Sequence, residues 1–86
     1  MKCSIEISMY PLDKDYIKPI ISFIQNLRKY PNILIETNGM STQIFGDYDR
    51  LMNIVSQEMR KSFISKEKVV FNLKIVNGDL QEKPSF

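Results

Sequence analysis

A strict two-residue alternation in residues 2–10 constrains the fold more than any other feature of the sequence. The apolar side chains of this run are Cys3, Ile5, Ile7 and Met9. They alternate with a mostly polar set, Ser4, Glu6, Ser8 and Tyr10. Successive side chains of a β-strand point to opposite faces, so the run predicts a strand with one buried face. A second alternating run covers residues 68–76 and stops at Asn77-Gly78. The chain must therefore form a sheet whose other face meets water or a partner.

Two stretches between these strands carry apolar residues at helical spacing. The first stretch contains Ile17, Ile20, Ile21, Ile24 and Leu27, and the second contains Leu51, Ile54, Val55, Met59 and Phe63. Asp13 and Asp15 offer caps for the first helix, and with Asp15 as the N-cap Pro19 falls in the first turn, where its missing N–H is tolerated. Gly46-Asp47 supplies a turn and a cap for the second helix.

Residues 33–37 and 40–45 are two further β-rich runs, separated by Asn38-Gly39. Asn-Gly is the strongest short signal for a hairpin with a two-residue type I′ turn. Such a turn predicts that Thr37 lies opposite Met40 and that Ile35 lies opposite Thr42. The hairpin face that continues the polar face of the first strand then carries Leu34, Glu36, Ser41, Gln43 and Phe45.

The order β-α-β-β-α-β predicts an α+β, ferredoxin-like fold in which two helices cover one face of a four-stranded antiparallel sheet. We expect one domain over residues 1–78 and a C-terminal tail over residues 79–86. A chain of 86 residues buries only about 60–65% of its extended surface, so its margin of stability is thin. A homo-oligomer that covers the bare sheet face would widen that margin. We expect function on this face, formed by Ser4, Glu6, Ser8, Tyr10, Leu34, Glu36, Ser41, Gln43, Phe45, Val70, Asn72 and Lys74.

Composition excludes several classes of function. The net charge is only +2, from 12 basic and 10 acidic residues, which predicts neither a nucleic-acid partner nor a membrane partner. The single cysteine cannot form an internal disulfide, and the absence of histidine removes the commonest ligand of a transition-metal site. The first residues lack the apolar block of a signal peptide, so we expect a cytoplasmic protein without a metal or cofactor.

Four segments resemble the thiamine-binding, YkoF-like family of small ferredoxin-like proteins. They are Ser8-Met9-Tyr10-Pro11, the hairpin from Glu36 to Thr42, Gly46-Asp47-Tyr48-Asp49, and Val69-Val70-Phe71-Asn72. The resemblance runs over residues 3–78, and the hairpin with its turn into the second helix is its most specific part. It implies a homodimer or homotetramer formed through the sheets, with thiamine or its hydroxymethylpyrimidine precursor bound in a polar pocket on the sheet. Some members carry two such units in one chain, so in this single-unit chain the pairing must come from separate subunits.

The residues of the bare face suit an aminopyrimidine ligand. Such a ring needs a carboxylate or other acceptor, one or two hydroxyl or amide groups, and an apolar wall. Glu6 could bind the amine, and Tyr10 or Phe45 could stack on the ring. The ligand-binding residues predicted from the sequence are Glu6, Ser8, Tyr10, Asn38, Ser41, Gln43 and Asn72.

Each assignment has a structural alternative. Glu6 could instead form a cross-strand ion pair with Lys74, and Asn38 could serve only the turn. Ser8 and Ser41 could be small residues packed at a subunit interface, at which aromatic side chains such as Tyr10 are common anchors. Asn72 is a poor strand former, so its place in the last strand calls for a hydrogen-bonding reason.

Three other functions are compatible with the predicted strand order. Acylphosphatases use an arginine after the first strand, whereas residues 10–15 contain none, so we expect no catalytic residues. RNA-recognition motifs use a basic-aromatic third strand, which Gln43-Ile44-Phe45-Gly46 lacks.

We therefore predict a non-catalytic protein that binds thiamine or its pyrimidine moiety. An oligomeric interaction module without a small ligand is the alternative.

Overall fold

The computed structural model describes residues 1–65 and 68–86. Its elements are β1 (Lys2–Pro11), α1 (Ile17–Leu27), β2 (Leu34–Thr37), β3 (Thr42–Asp47), α2 (Tyr48–Ile64) and β4 (Val69–Val76). The strands form one sheet in the order β2-β3-β1-β4, and all three neighbouring pairs are antiparallel. The predicted ferredoxin-like fold is confirmed. Neither helix described in these two ranges is long and apolar enough to cross a membrane.

The core lies between the sheet and the two helices. The apolar set of β1 forms its centre, because Cys3, Ile5 and Ile7 are at most 2% exposed. They pack with helix and neighbouring-strand residues that are at most 4% exposed, namely Phe23, Leu27, Ile44, Leu51, Ile54 and Val55. The two-residue alternation thus predicted correctly which side of β1 the helices cover.

Helix α1 differs from the prediction in its cap and in its buried face. Tyr16 is the N-cap, and no side chain of the described residues caps the helix. Asp15 instead lies 3.8 Å from Lys18 as an exposed ion pair. The buried residues of α1 are Phe23 and Leu27, whereas Ile17 and Ile21 of the predicted stripe are exposed. The helix is turned so that the larger Phe23 ring packs on Phe71, with 5.1 Å between ring centres.

Helix α2 begins as predicted, with Asp47 as its N-cap. The carboxylate of Asp47 accepts a hydrogen bond from the Arg50 N–H at 3.3 Å and lies 3.4 Å from the N-terminal ammonium group. The bond from the Arg50 N–H is the main reason that the pKa of Asp47 is lowered from its ordinary value. The predicted buried stripe is wrong at Phe63, which is exposed, and it omits Glu58, which is buried in the last turns of the helix.

The β2–β3 hairpin has a longer loop than predicted. Thr37 pairs with Thr42 and Ile35 with Ile44, so residues 38–41 form a four-residue loop. The side chain of Asn38 accepts hydrogen bonds from the N–H groups of Met40 and Ser41, at 2.9 and 3.1 Å. This Asx-type loop replaces the predicted type I′ turn, and Gly39 does not adopt a positive φ. The predicted register is therefore wrong by two residues, which leaves every side chain of the strands on its predicted face.

The chain after β4 folds back across the open face of the sheet. The hydroxyl of Ser4 donates to the carbonyl of Gly78 at 2.6 Å and accepts from the N–H of Leu80 at 2.9 Å. Ser4 and Phe45 are consequently only 7% and 8% exposed, and Phe45 and Leu80 line the same depression. The prediction of a wholly bare face is wrong at Ser4 and Phe45. The face stays open at the other end of β1, around Ser8 and Tyr10.

Candidate functional site

Four polar side chains form a connected network on the open face. Ser41 donates to the Glu6 carboxylate at 2.9 Å, and Gln43 donates to the Ser41 hydroxyl at 3.0 Å. Lys74 of β4 lies 3.6 Å from the other oxygen of Glu6. These links follow from the register, because Glu6 is directly opposite both Gln43 and Lys74.

Glu6 forms the ion pair with Lys74 that was the structural alternative, and its carboxylate is also exposed enough to bind a ligand. Its ion pair with Lys74 is present, but the Glu6 side chain is 41% exposed and that of Lys74 is 76% exposed. An exposed pair of this kind contributes little stability, at most about 1 kcal/mol. A cationic or hydrogen-bond-donating ligand can therefore compete for Glu6 at small cost, while Ser41 fixes the orientation of the carboxylate.

A cavity lies where β3 stops short of the end of β1. On one side β1 pairs with β4 as far as Pro11, whereas on the other side its pairing with β3 ends at Ile7. Residues 8–11 thus form a free strand edge that faces the hairpin loop and helix α1. The edge cavity has a volume of about 170 Å³, and it is lined by Ile7, Ser8, Met9, Tyr10, Ile20, Phe23, Ile24, Thr37, Asn38, Gly39, Met40, Ser41 and Thr42.

The edge cavity brings together four of the seven residues predicted to bind a ligand. These are Ser8, Tyr10, Asn38 and Ser41. Glu6 is joined to them through its hydrogen bond with Ser41, and Gln43 adjoins Glu6 in a depression of about 240 Å³ on the open face. Asn72 lies opposite Ser8 on the far side of β1, is exposed, and lines neither space.

The apolar wall of the edge cavity was missed by sequence reasoning. Ile20, Phe23 and Ile24 of α1 supply it, together with Met40 of the hairpin loop. Phe45, an expected stacking platform, lies beneath the C-terminal segment instead. The available signal was the difference in strand length, because a β3 of six residues cannot cover a β1 of ten.

A second polar feature lies where α2 meets the end of α1, away from the edge cavity. Glu58 of α2 is 1% exposed, and one of its oxygens accepts from the Tyr30 hydroxyl at 2.6 Å and from Lys61 at 2.8 Å. Its other oxygen has no hydrogen-bond partner within residues 1–65 and 68–86. The hydrogen bonds to Glu58 are the main reason that the pKa of Tyr30 and the pKa of Lys61 are both raised.

Three solved structures share the fold of this chain. Protein SP2199 of Streptococcus pneumoniae is 26% identical, with a TM-score of 0.84 over 93% of this chain and 90% of that one. The hypothetical protein MJ1052 of Methanocaldococcus jannascii is 27% identical, with a TM-score of 0.77 over 98% and 88%. A candidate thiamine biosynthesis/salvage protein of Thermotoga maritima is 20% identical, with a TM-score of 0.77 over 87% and 82%.

No curated protein sequence is significantly similar to the chain. The resemblance inferred from the sequence is nevertheless confirmed at the level of the family. Residues 2–78 match the YkoF-related family, and the protein belongs to that family.

Proposed function

We propose that the protein binds a small aromatic amine of the thiamine type in the edge cavity and does not transform it. The observation that carries this proposal is the make-up of the cavity, in which the polar residues Ser8, Asn38 and Ser41 face an apolar wall from α1. Small-molecule sites commonly combine a largely apolar lining with a few placed polar groups. Membership of the YkoF-related family and the fold shared with the Thermotoga maritima protein support the same ligand class.

The size of the cavity suits one ring of such a ligand. Its volume of about 170 Å³ is below the roughly 300–1,000 Å³ of pockets that enclose drug-sized molecules. An aminopyrimidine ring would occupy the cavity against Tyr10 and the α1 wall. A cationic substituent such as a thiazolium would then extend over the open face toward Glu6, whose charge favours it.

A second subunit would complete the site. Six large apolar side chains in this part of the chain are between 47% and 88% exposed. Tyr10 and Met40 line the cavity, and Leu12, Tyr16, Ile17 and Ile21 lie in the segment after β1 and in α1, the helix that supplies the apolar wall. Clustered exposed apolar groups of this kind usually mark an interaction surface. A homodimer or homotetramer that buries them would also shield a ligand in the cavity from water. The same residues favour the second candidate function, an oligomeric module that holds no small ligand.

Titration calorimetry with thiamine and with hydroxymethylpyrimidine tests the proposal. Glu6→Ala should weaken thiamine binding by about tenfold or more, because a charge-assisted hydrogen bond is lost. Glu36→Ala is the matched control, since Glu36 lies on the same face two strands away from Glu6 and does not line the cavity. Asn72→Leu reports whether a bound ligand reaches across β1 toward β4. Absence of heat with both compounds, in a folded oligomer, would favour the module without a ligand.

A further inference from the structure

The backbone of β1 directs its hydrogen-bonding groups alternately to its two neighbours. The N–H of Leu12 donates to the carbonyl of Lys68 on the β4 side at 2.8 Å, and the carbonyl of Met1 accepts from Tyr48 on the β3 side at 2.9 Å. In an antiparallel sheet the N–H and C=O of one residue point the same way, and those of the next residue point the opposite way. Even-numbered residues of β1 therefore bond toward β4, and odd-numbered residues bond toward β3.

Met9 is the first odd-numbered residue beyond the end of the β1–β3 ladder. The ladder ends at the pair Ile7–Thr42, so the continuation of the register would place Met40 opposite Met9. Met40 lies in the hairpin loop, where its N–H donates to the side chain of Asn38 at 2.9 Å. Within the described residues, no hydrogen bond joins the backbone of Met9 to this loop. The N–H and C=O of Met9 thus face the edge cavity, which Met9 lines.

We propose that the N–H and C=O of Met9 form the specificity element of the edge cavity and select 4-aminopyrimidines, an inference that rests on the proposed function. In an extended strand these two groups present a donor beside an acceptor. The 4-aminopyrimidine edge presents the complementary pair, because its ring nitrogen accepts and its exocyclic amine donates. The Met9 N–H donates to the ring nitrogen, and the Met9 carbonyl accepts from the amine.

The geometry favours a single ring over an added β-strand. Strand addition needs a run of alternating donors and acceptors along an open edge. Here the next outward-facing residue is Pro11, which has no N–H to donate. The hairpin loop and the α1 wall also enclose this stretch of edge within about 170 Å³. The edge therefore offers one complete donor–acceptor pair, and one planar heterocycle can form a hydrogen bond with each member of that pair.

This arrangement predicts which analogues the site rejects. A 4-oxo pyrimidine carries a ring N–H and a carbonyl at the same two positions, so its donor faces the Met9 N–H and its acceptor faces the Met9 carbonyl. Two hydrogen bonds are then replaced by two mismatches at a half-buried site. Affinity for the 4-oxo analogue should fall about thirtyfold or more relative to the 4-amino compound.

The test compares hydroxymethylpyrimidine with its 4-oxo analogue by titration calorimetry, and it follows amide hydrogen exchange by NMR. Binding of the 4-amino compound should slow exchange at the Met9 amide, while the Ile7 amide, already paired with Thr42, serves as the internal control. Equal affinity for the two compounds, or an unchanged exchange rate at Met9 on binding, would overturn the inference and leave the proposed function standing. Failure of both compounds, and of thiamine, to bind would overturn the proposed function itself.

Discussion

Replacement of Glu58 by methionine should leave the free energy of unfolding within about 1 kcal/mol of its original value. The substitution removes a charge-assisted hydrogen bond from Tyr30, which contributes about 1.5–3 kcal/mol, and the ion pair with the exposed Lys61. It also removes a carboxylate that is 1% exposed, whose burial costs several kcal/mol, and whose second oxygen has no hydrogen-bond partner in residues 1–65 and 68–86, at a further cost of about 1–3 kcal/mol. These opposing contributions are of similar size.

The groups left behind by this substitution are easily satisfied. The Lys61 side chain is 63% exposed and returns to water, and the Tyr30 hydroxyl already lies 3.3 Å from the side-chain oxygen of Gln57. Removal of a donor has the opposite consequence, because Glu58 then stays buried with fewer partners. Tyr30→Phe should therefore destabilise the protein by about 1.5–3 kcal/mol, more than the Glu58 substitution does.

Urea unfolding of the two single variants and of the double variant tests this predicted order of stability. Once Glu58 is replaced, Tyr30→Phe should have a much smaller effect, since only the exposed bond to Gln57 remains to be lost. A Glu58→Met variant that is less stable than the Tyr30→Phe variant would refute the reasoning. It would show that the two hydrogen bonds outweigh the cost of burying the charge.

Alkaline pH supplies an independent check. The pKa of Tyr30 and the pKa of Lys61 are both raised from ordinary values of 10.0 and 10.5 by their bonds to Glu58. The folded state therefore holds these protons more tightly than the unfolded state. Their stabilising contribution is complete below about pH 10 and is lost as the pH rises through the folded-state pKa values. Glu58→Met should remove this part of the alkaline decline in stability.

Three further predictions concern the ends of elements and the C-terminal segment. Because the Arg50 N–H lowers the pKa of Asp47, stability should fall as the pH drops below about 3.8, and Asp47→Ala should flatten that fall in an acid titration. Asn32 has a φ of 62°, so Asn32→Val should cost about 1–2 kcal/mol in urea unfolding, while Asn32→Gly should be nearly neutral; equal losses would contradict this. Leu80→Asp should uncover Phe45 and increase binding of a hydrophobic dye, whereas an unchanged dye signal would mean that the segment does not protect it.

The sequence predicted the faces of the sheet more reliably than its register. The Asn-Gly signal suggested a two-residue turn, but the side chain of Asn38 bonds the loop backbone and adds two residues to the loop. A shift of two residues preserves the alternation of side chains, so Gln43 and Phe45 stayed on the open face. A shift of one would have reversed every assignment. The faces are determined by burial along whole strands, whereas the register depends on a single loop.

Long-range contacts explain the burial of two residues whose surroundings local patterns could not predict. The helical spacing places Glu58 on the same face as Leu51, Ile54 and Val55, but it does not indicate what would bind a buried carboxylate there, because the partner Tyr30 lies 28 residues away in the chain. In the same way, Phe45 is covered by a segment more than 30 residues later, whose sequence has no strand or helix pattern. Periodicity reports which face of an element is apolar, but it does not report which distant segment lies on that face.

The position of the candidate site follows from unequal strand lengths. β1 has ten residues and pairs with eight residues of β4, but β3 has only six, so one end of β1 must lack a neighbour on the β3 side. At the opposite end of the open face, Gly78 and Leu80 bond to Ser4 and occupy the space that a ligand or a second sheet could use. The proposed partner subunit would therefore pack near Ser8 and Tyr10. The surface left for the proposed subunit contact and the free edge proposed to bind the ligand are thus the same end of one strand, so ligand binding and oligomer formation should strengthen each other.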